Sequence, residues 1–467
     1  MVKGVTMLKK ILTSIVVSSF LVGSSVYANE QNIDADQNAI SSANADLDYK
    51  DDSLSSWVSD FENTVGAKIG EAINGRTFFT GKSSVRVGPL DPAYSKELTV
   101  AYEKALLDLQ AKFILQTYGT MSTERILDFF ENDSTNANLF EPVQLKKDIE
   151  QGQLSRILDK TLSVIENKLD SQLEEQGVSP SEIKKMSITQ KKSKFKDNFK
   201  KSMVKKAVQN ISGLVPVQTK IITTKTKVGD AVEVGIIAVM SDKTRQFADD
   251  MARQRATNVK GSPKDLNDIL PKDDKEYLNE FGLRYLYDKN GKPMLLSYGR
   301  WSVVGKTENP SKYLRKIESA KEKARMFAEA AIGEFMKSNI QASQSVDIES
   351  ISEEIATKVT EFENSVESGS NEGVDNIGET IDKSFTKIKA SSKFKLRGTS
   401  QIKTWEKEDE NGVLHVGSVV TWTFSQLDNA NNIANGNVKK KEQSIETIKT
   451  VNPESKKSKL VNDANDF

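Results

Sequence analysis

The sequence contains no cysteine and a single histidine, and it has no apolar run long enough to cross a membrane. Without cysteine the chain cannot form disulfides, thiolate metal sites or a cysteine nucleophile, and no signal-peptide cysteine is present for lipid attachment. His415 is the only imidazole, so an ordinary zinc site cannot be assembled and a Ser-His-Asp triad could use only this base. We therefore predict stability from packing alone, with no metal and no cofactor.

An excess of charge of one sign is also missing, since 66 Lys and Arg face 66 Asp and Glu. Removal of residues 1–28 would take away three lysines and no acid, leaving 63 basic residues against 66 acidic ones. Such a chain has no overall attraction to nucleic acid or to anionic lipid. We expect no nucleic-acid partner, and any electrostatic partner must be recognised by a local patch.

Residues 1–28 have the layout of a secretory signal peptide. Three lysines precede a short apolar run at 11–22, and Val26-Tyr27-Ala28 supplies a small residue at a cleavage site. The run is well short of the ~20 residues that span a bilayer, although a retained membrane anchor stays open as the alternative. We predict cleavage after Ala28, a periplasmic or secreted mature protein, and no transmembrane segment in it.

The two halves of the chain repeat one order of elements. Each half predicts a strand, a helix, an insert and a β-hairpin. In the first half these elements are at 81–87, 94–118, 119–213 and 217–240. In the second half they are at 299–304, 311–337, 339–388 and 393–424. A further helix, at 242–255, is clear only in the first half.

Short matches support the repeat. Gly299 matches Gly81, and Glu322-Lys323-Ala324 matches Glu103-Lys104-Ala105 at nearly the same spacing. Val416-Gly417 in the last hairpin likewise matches Val234-Gly235. A chance match stays open, but we predict an α+β fold of two related β-α-β-β domains, each with a long helical hairpin as its insert.

The predicted boundaries follow from this repeat and from shifts in composition. They are a signal peptide at 1–28, a disordered linker at 29–52, a first domain at 53–260, a linker at 261–282, a second domain at 283–428 and a disordered tail at 429–467. Each domain is expected to have its own core. A short hairpin through Asn290-Gly291 is a further expectation at the start of the second domain.

The helix with Glu-Lys-Ala, followed by a hairpin whose second strand reads Val-Gly-Ile-Ile-Ala-Val, resembles a small β-α-β-β domain of bacterial envelope proteins. This family includes the amino-terminal domain of flagellar assembly protein T and related outer-membrane lipoproteins. The resemblance implies a Gram-negative periplasmic module that assists assembly and has no catalytic motif. The chain departs from the family by its large inserts, and from the lipoproteins by its lack of a lipidation cysteine.

The inserts have opposite charges and are the predicted interaction sites. A helix in the first insert places Phe195 and Phe199 on one face, and Asp197 is the only acid among its lysines. The candidate basic residues are Lys191, Lys192, Lys194, Lys196, Lys200, Lys201, Lys205 and Lys206. The candidate acidic residues, in the second insert, are Glu353, Glu354, Glu361 and Glu363.

Three interpretations of these charges stay open. The inserts meet, within one molecule or between neighbours, with apolar stripes packing and charges setting the orientation. Alternatively they are separate solvated arms whose charges only keep them soluble. In the third interpretation the lysine face binds phosphates of anionic envelope polymers or lipid headgroups.

Sequence signals for an enzyme are poor. Residues 75–83 resemble a phosphate-binding loop but have one residue too many between the glycines, and a strand follows where a helix is needed. Ser202 and Lys205 have the Ser-x-x-Lys spacing but lack its companion motifs. We predict a non-catalytic envelope protein with a structural or assembly role, whose partners are envelope proteins or itself; an unrecognised hydrolase is the least favoured alternative.

Overall fold

The structure is a computed structural model that describes residues 53–133, 142–227, 229–303, 309–344, 348–367, 377, 380–381 and 396–434. Within them the predicted α+β class is confirmed, because long helices pack on antiparallel sheets. The predicted signal peptide, the linker at 29–52, the end of the tail and parts of both inserts lie outside the described residues.

The described helices and strands follow in chain order. The helices are α1 Leu54–Val65, α2 Tyr94–Asp133, α3 Pro142–Glu150, α4 Leu154–Val164, α5 Leu169–Glu175, α6 Pro180–Ile183, α7 Ile188–Gln209, α8 Asp242–Ala252, α9 Leu266–Ile269, α10 Pro310–Gln344, α11 Ile348–Glu367 and α12 Phe424–Ala434. The strands are β1 Arg76–Val85, β2 Val215–Thr226, β3 Gly229–Ser241, β4 Gly282–Tyr287, β5 Pro293–Val303, β6 Thr399–Glu408 and β7 Leu414–Thr423. Short 3₁₀ helices span Glu166–Lys168 and Glu276–Asn279.

Two antiparallel sheets have corresponding strands in the same register. The first has the order β1-β3-β2 and the second the order β4-β5-β7-β6. Lys82 lies opposite Gly235 in the first sheet, and Arg300 lies opposite Gly417 in the second. The outer hairpin strands β2 and β6 also carry a bulge at the same point of the ladder. The sequence repeat therefore corresponds to a repeat of backbone geometry.

The matched glycines have the same packing role in both units. A Cβ atom at Gly81 would collide with the carbonyl oxygen of Ala105, and one at Gly299 would collide with that of Ala324. A strand and a long helix therefore approach more closely than any side chain allows, at one equivalent point in each unit.

The second unit differs from the first by one extra strand. The expected hairpin through Asn290-Gly291 forms, and it adds β4 to the sheet beside β2 of the first unit. Arg284 of β4 donates from Nη1 to Thr219 Oγ1 of β2 at 2.9 Å. The backbone N–H of Leu283 donates to the hydroxyl of Tyr102 on α2, also at 2.9 Å. Buried side chains of both units join one apolar cluster, so the expectation of separate cores is wrong.

The first long helix does not end at Tyr118. α2 continues through Gly119 to Asp133, and Ile126 and Phe129 of the added turns are buried. The absence of a side chain at Gly119 makes room for Glu150 on α3, because a Cβ atom at Gly119 would lie 2.7 Å from Cγ of Glu150. Tertiary packing of these turns outweighs the low helix propensity of glycine.

The predicted linker at 261–282 is folded. It contains α9 and a 3₁₀ turn whose Tyr277 is fully buried and stacks on Trp405 of β6, with ring centres 5.7 Å apart. The charged residues of this segment are typical of a linker, so the sequence did not predict this packing. At the other end, α12 runs to Ala434, past the predicted domain boundary at residue 428, and it closes the second unit as α8 closes the first.

Candidate interaction surface formed by the two inserts

The two inserts pack against each other within one chain. Helix α11 of the acidic insert lies on α7 of the basic insert. Their apolar stripes join one buried cluster that includes Phe195 and Phe199 from α7 and Ile355, Val359 and Phe362 from α11. The patterns that predicted amphipathic helices thus predicted the faces that meet.

A buried ion pair links the inserts at the centre of this contact. Lys200 Nζ lies 2.5 Å from Glu363 Oε2, and the two side chains are only 9% and 3% exposed. Lys200 also donates to Ser155 Oγ of α4 at 2.8 Å. The hydroxyl of Tyr118, on α2, donates to Glu363 Oε1 at 2.9 Å. Four helices are therefore held at one carboxylate.

The chemistry of this buried group makes the contact between the inserts costly to break. Burial and the charge of Glu363 raise the pKa of Tyr118 well above its usual value, so its hydroxyl keeps its proton and donates. Removing one partner of such a buried pair leaves an uncompensated charge and costs about 3–5 kcal/mol. A shift of α11 along α7 would therefore separate two buried charges.

Most of the predicted basic residues face acids of the chain itself. Lys191 lies 2.7 Å from Asp170, Lys192 lies 3.5 Å from Glu166, Lys196 lies 2.8 Å from Asp159 and Lys201 lies 3.1 Å from Glu353. These pairs are partly exposed, and each contributes about 1 kcal/mol or less. Lys194 and Lys205 are half-buried, and Lys206 is exposed.

The four predicted acids divide into two groups. Glu353 and Glu363 contact α7 as described, and both come from one side of α11. Glu361 pairs with Lys358 of its own helix at 2.6 Å, and Glu354 is exposed. Charge complementarity was readable in the sequence, but the identity of the buried pair depends on which helix turn each residue occupies.

His415 belongs to a buried polar cluster beside β7. Its Nε2 lies 3.0 Å from Asp409 Oδ2, and that carboxylate also accepts the backbone N–H groups of Asn411 and Val413 in the turn before β7. Burial, followed by the nearby Arg300 guanidinium, lowers the pKa of His415 to about 4. Such a weak base, 3% exposed, suits a structural contact better than a catalytic one.

Other catalytic signals also fall on structural positions. The loop-like motif at 75–83 lies almost wholly in β1, and Ser202 is exposed on α7. The described residues bring together no group of three His, Asp or Glu side chains that could hold a metal ion. No helix of the described part of the chain is long and apolar enough to span a membrane.

Sequence reasoning missed one unusual carboxylate. Glu150 is 4% exposed against Gly119, and its nearest cation, Lys146 Nζ, is 3.7 Å from Oε1. Burial, opposed by Lys146, raises the pKa of Glu150 to about 7. Gly119, in the middle of α2, is its only sequence signal.

A family model and a solved structure match parts of this chain. Residues 154–253 match a family model described as a domain of unknown function, DUF6844, and this segment runs from α4 through α8. No curated protein matches the chain. A solved structure, the 2.3 Å crystal structure of a hypothetical protein from Francisella tularensis, is 18% identical; the alignment covers 81% of this chain and 93% of that chain, with a TM-score of 0.49.

Proposed function

We propose that the chain is a non-catalytic exported protein of the cell envelope that acts as a structural or assembly component through protein–protein contacts. The observation that carries this proposal is the buried Lys200–Glu363 pair, with Tyr118 and Ser155 around it. Of the ionisable groups that stood out in the sequence, Lys200, Lys201, Glu353 and Glu363 join the two inserts into one helical body. That body is anchored to the sheets through α2, so it can present a surface of fixed shape to a partner.

The internal pairing also changes the basis for assembly. Complementary charges on the two inserts would favour self-association if each insert were a separate arm. Within one chain, that complementarity is already used. A partner must therefore recognise the outer faces of the joined inserts, where Lys194 is half-buried and Lys206 is exposed.

The contacts disfavour the alternative function, which is binding of anionic polymer or lipid by the lysine-rich helix. Five of its eight candidate lysines already lie within 3.5 Å of a carboxylate of the chain. A polyanion would have to displace these acids before gaining the same charge contacts. The helix is therefore a poor match for the extended basic stripe that polymer binding requires.

Crosslinking in cells, followed by mass spectrometry of the tagged full chain, tests the proposal. We expect crosslinks to envelope proteins or to itself, and a mature amino terminus just after Ala28. The double variant Lys194→Glu/Lys206→Glu should weaken the crosslinks, since it reverses two charges of α7 and leaves in place the five lysines that pair with carboxylates. Lys289→Glu/Lys292→Glu makes the same change of charge in the β4–β5 turn and should leave them unchanged.

Two results would contradict the proposal. One is a mature chain that keeps its first residues. The other is crosslinks that are absent or that respond equally to both double variants. Deleting residues 184–206 would be uninformative, because Phe195 and Phe199 are buried in the core and the fold itself would be lost.

A further inference from the structure

A basic cleft lies in the second unit, away from the inserts. It has a volume of about 440 Å³ and opens between the first turns of α10, the end of β5 and the loop before α2. Lys312, Arg315, Lys316 and Lys323 line it, together with Ser319 and Trp301. Among the described residues that line the cleft there is no Asp or Glu.

The cations form a single row along α10. Positions 312, 316, 319 and 323 follow one another at steps of four, three and four, and position 315 precedes 319 by four, so all five share one helix face, and all five side chains are exposed. Like charges at this spacing destabilise a helix by a few tenths of a kcal/mol per pair. The nearby acids Glu318 and Glu406 contact Lys321, outside the row. The arrangement concentrates positive charge at the cleft.

Trp301 gives the cleft an aromatic surface. It is half-buried, whereas the other three tryptophans of the chain are 3% exposed or less. Lys323 Nζ lies 5.1 Å from the centre of its indole ring, within the range of a cation–π contact. A flat apolar surface beside a row of cations suits a ligand with a charged end and a ring or alkyl part.

The wall of the cleft is held in place from the first unit. Ser95 of α2 and Ser302 of β5 share a buried hydrogen bond of 2.7 Å between their hydroxyls, and Ser302 also donates its backbone N–H to Ser95 Oγ at 2.7 Å. This contact fixes the loop before α2 against β5. The cleft is thus preformed at a junction between the units, which lowers the ordering cost of binding.

The internal repeat shows that the cleft is not a consequence of the fold. At the equivalent positions the first unit has Ala93, Lys96, Glu97, Val100 and Lys104, and Ser83 takes the place of Trp301. The first unit therefore has the same backbone without the cationic row or the aromatic surface. The cationic row and the aromatic surface are therefore not required by the backbone that the two units share.

We propose that this cleft binds a ligand with two or more phosphate charges, whose ring or alkyl portion lies on Trp301. Four cations match a multiply charged group better than a single carboxylate. The guanidinium of Arg315 offers paired donors with the geometry of phosphate oxygens, and Ser319 adds a hydroxyl donor. The phosphates belong either to a soluble compound or to a lipid headgroup. This inference does not depend on the proposed function of the inserts.

Binding of inorganic pyrophosphate to the purified full chain, measured by calorimetry at low salt, is the test. Low salt is needed because screening weakens exposed charge contacts. We expect saturable binding that the double variant Lys312→Glu/Arg315→Glu weakens about tenfold or more. Both side chains are exposed, so the variant should keep the wild-type melting temperature. The matched change Lys289→Glu/Lys292→Glu should not alter the affinity.

Two further measurements refine the test. Tryptophan fluorescence should change on binding, and Trp301→Phe should abolish that change while calorimetric binding remains. Sedimentation with cardiolipin vesicles, whose headgroup carries two phosphates, compared with phosphatidylcholine vesicles, distinguishes a lipid headgroup from a soluble ligand. Binding of neither pyrophosphate nor anionic vesicles would overturn the proposal. Equal loss of binding in the two double variants would also overturn the proposal, because it would show a general electrostatic attraction to the protein and no specific site.

Discussion

At the residue scale, this protein buries an ionisable group at a position that sequence patterns do not predict. Glu150 is the clearest example, because a carboxylate with no hydrogen-bond partner within the described residues lies against the bare backbone of Gly119. Its raised pKa means that the folded state holds a proton that the unfolded state releases. The free energy of unfolding should therefore fall as the pH rises through the pKa of Glu150.

The pKa of Glu150 rises from 4.5 to about 7 on folding. Its contribution to stability is fully present below about pH 4.5 and is lost as the pH rises through 7, by about 3 kcal/mol. We predict that Glu150→Gln raises the free energy of unfolding by about this amount at pH 8 and changes it little at pH 4. Urea unfolding at several pH values measures both.

A control separates this effect from a general loss of negative charge. Glu182→Gln makes the same change at an exposed position of α6 and should leave the pH profile of the wild type in place. If Glu150→Gln gave no greater stability at pH 8 than at pH 4, relative to the wild type, the carboxylate would not be held in an unfavourable environment.

At the scale of elements, the order of strands and helices was predictable because it depends on local patterns. The strands overlap their predicted ranges, the Asn290-Gly291 turn forms, and both long helices begin within one residue of their predicted starts. The errors came from packing that no local pattern contains. The helix continues through Gly119 because Glu150 packs against this glycine. The charged segment before β4 folds because Tyr277 stacks on Trp405.

The candidate sites show the same limit. Opposite charges predicted that the inserts could meet, but the choice of Lys200 and Glu363 as the buried pair needs the helix positions. The cleft was missed altogether. A row of cations on α10 looks like an ordinary solvated face, and Trp301 looks like any strand residue, until the fold brings them together.

The close approach of strand and helix in each unit gives a prediction at this scale. Gly81→Ala and Gly299→Ala would each push a strand away from the backbone of a helix, and we expect a loss of about 1–3 kcal/mol or more. The two losses should be similar, because the geometry repeats. Gly333→Ala is the control, since its Cβ would lie 3.7 Å from Leu396 and alanine favours the helix. Thermal melts of the three variants compare them directly.

At the scale of the whole molecule, the inserts convert two similar units into one asymmetric body. The sheets share a core, while α7 and α11 join the parts of the chain that the repeat does not explain. The buried group at Glu363 and the exposed pair Lys201–Glu353 join α7 to α11, whereas the other ion pairs of α7 stay within the first insert. Because the chain has no cysteine, packing and polar contacts alone must hold these insertions in place.

The most direct test of this account is a double-mutant cycle on Lys200 and Glu363, measured by urea unfolding. Lys200→Met and Glu363→Gln should each lower the free energy of unfolding by about 3–5 kcal/mol, and the double variant should lose clearly less than the sum. The same cycle on the exposed pair Lys201 and Glu353 should give a coupling of about 1 kcal/mol or less. Additive losses for Lys200 and Glu363, within about 0.5 kcal/mol, would contradict a lock between the inserts.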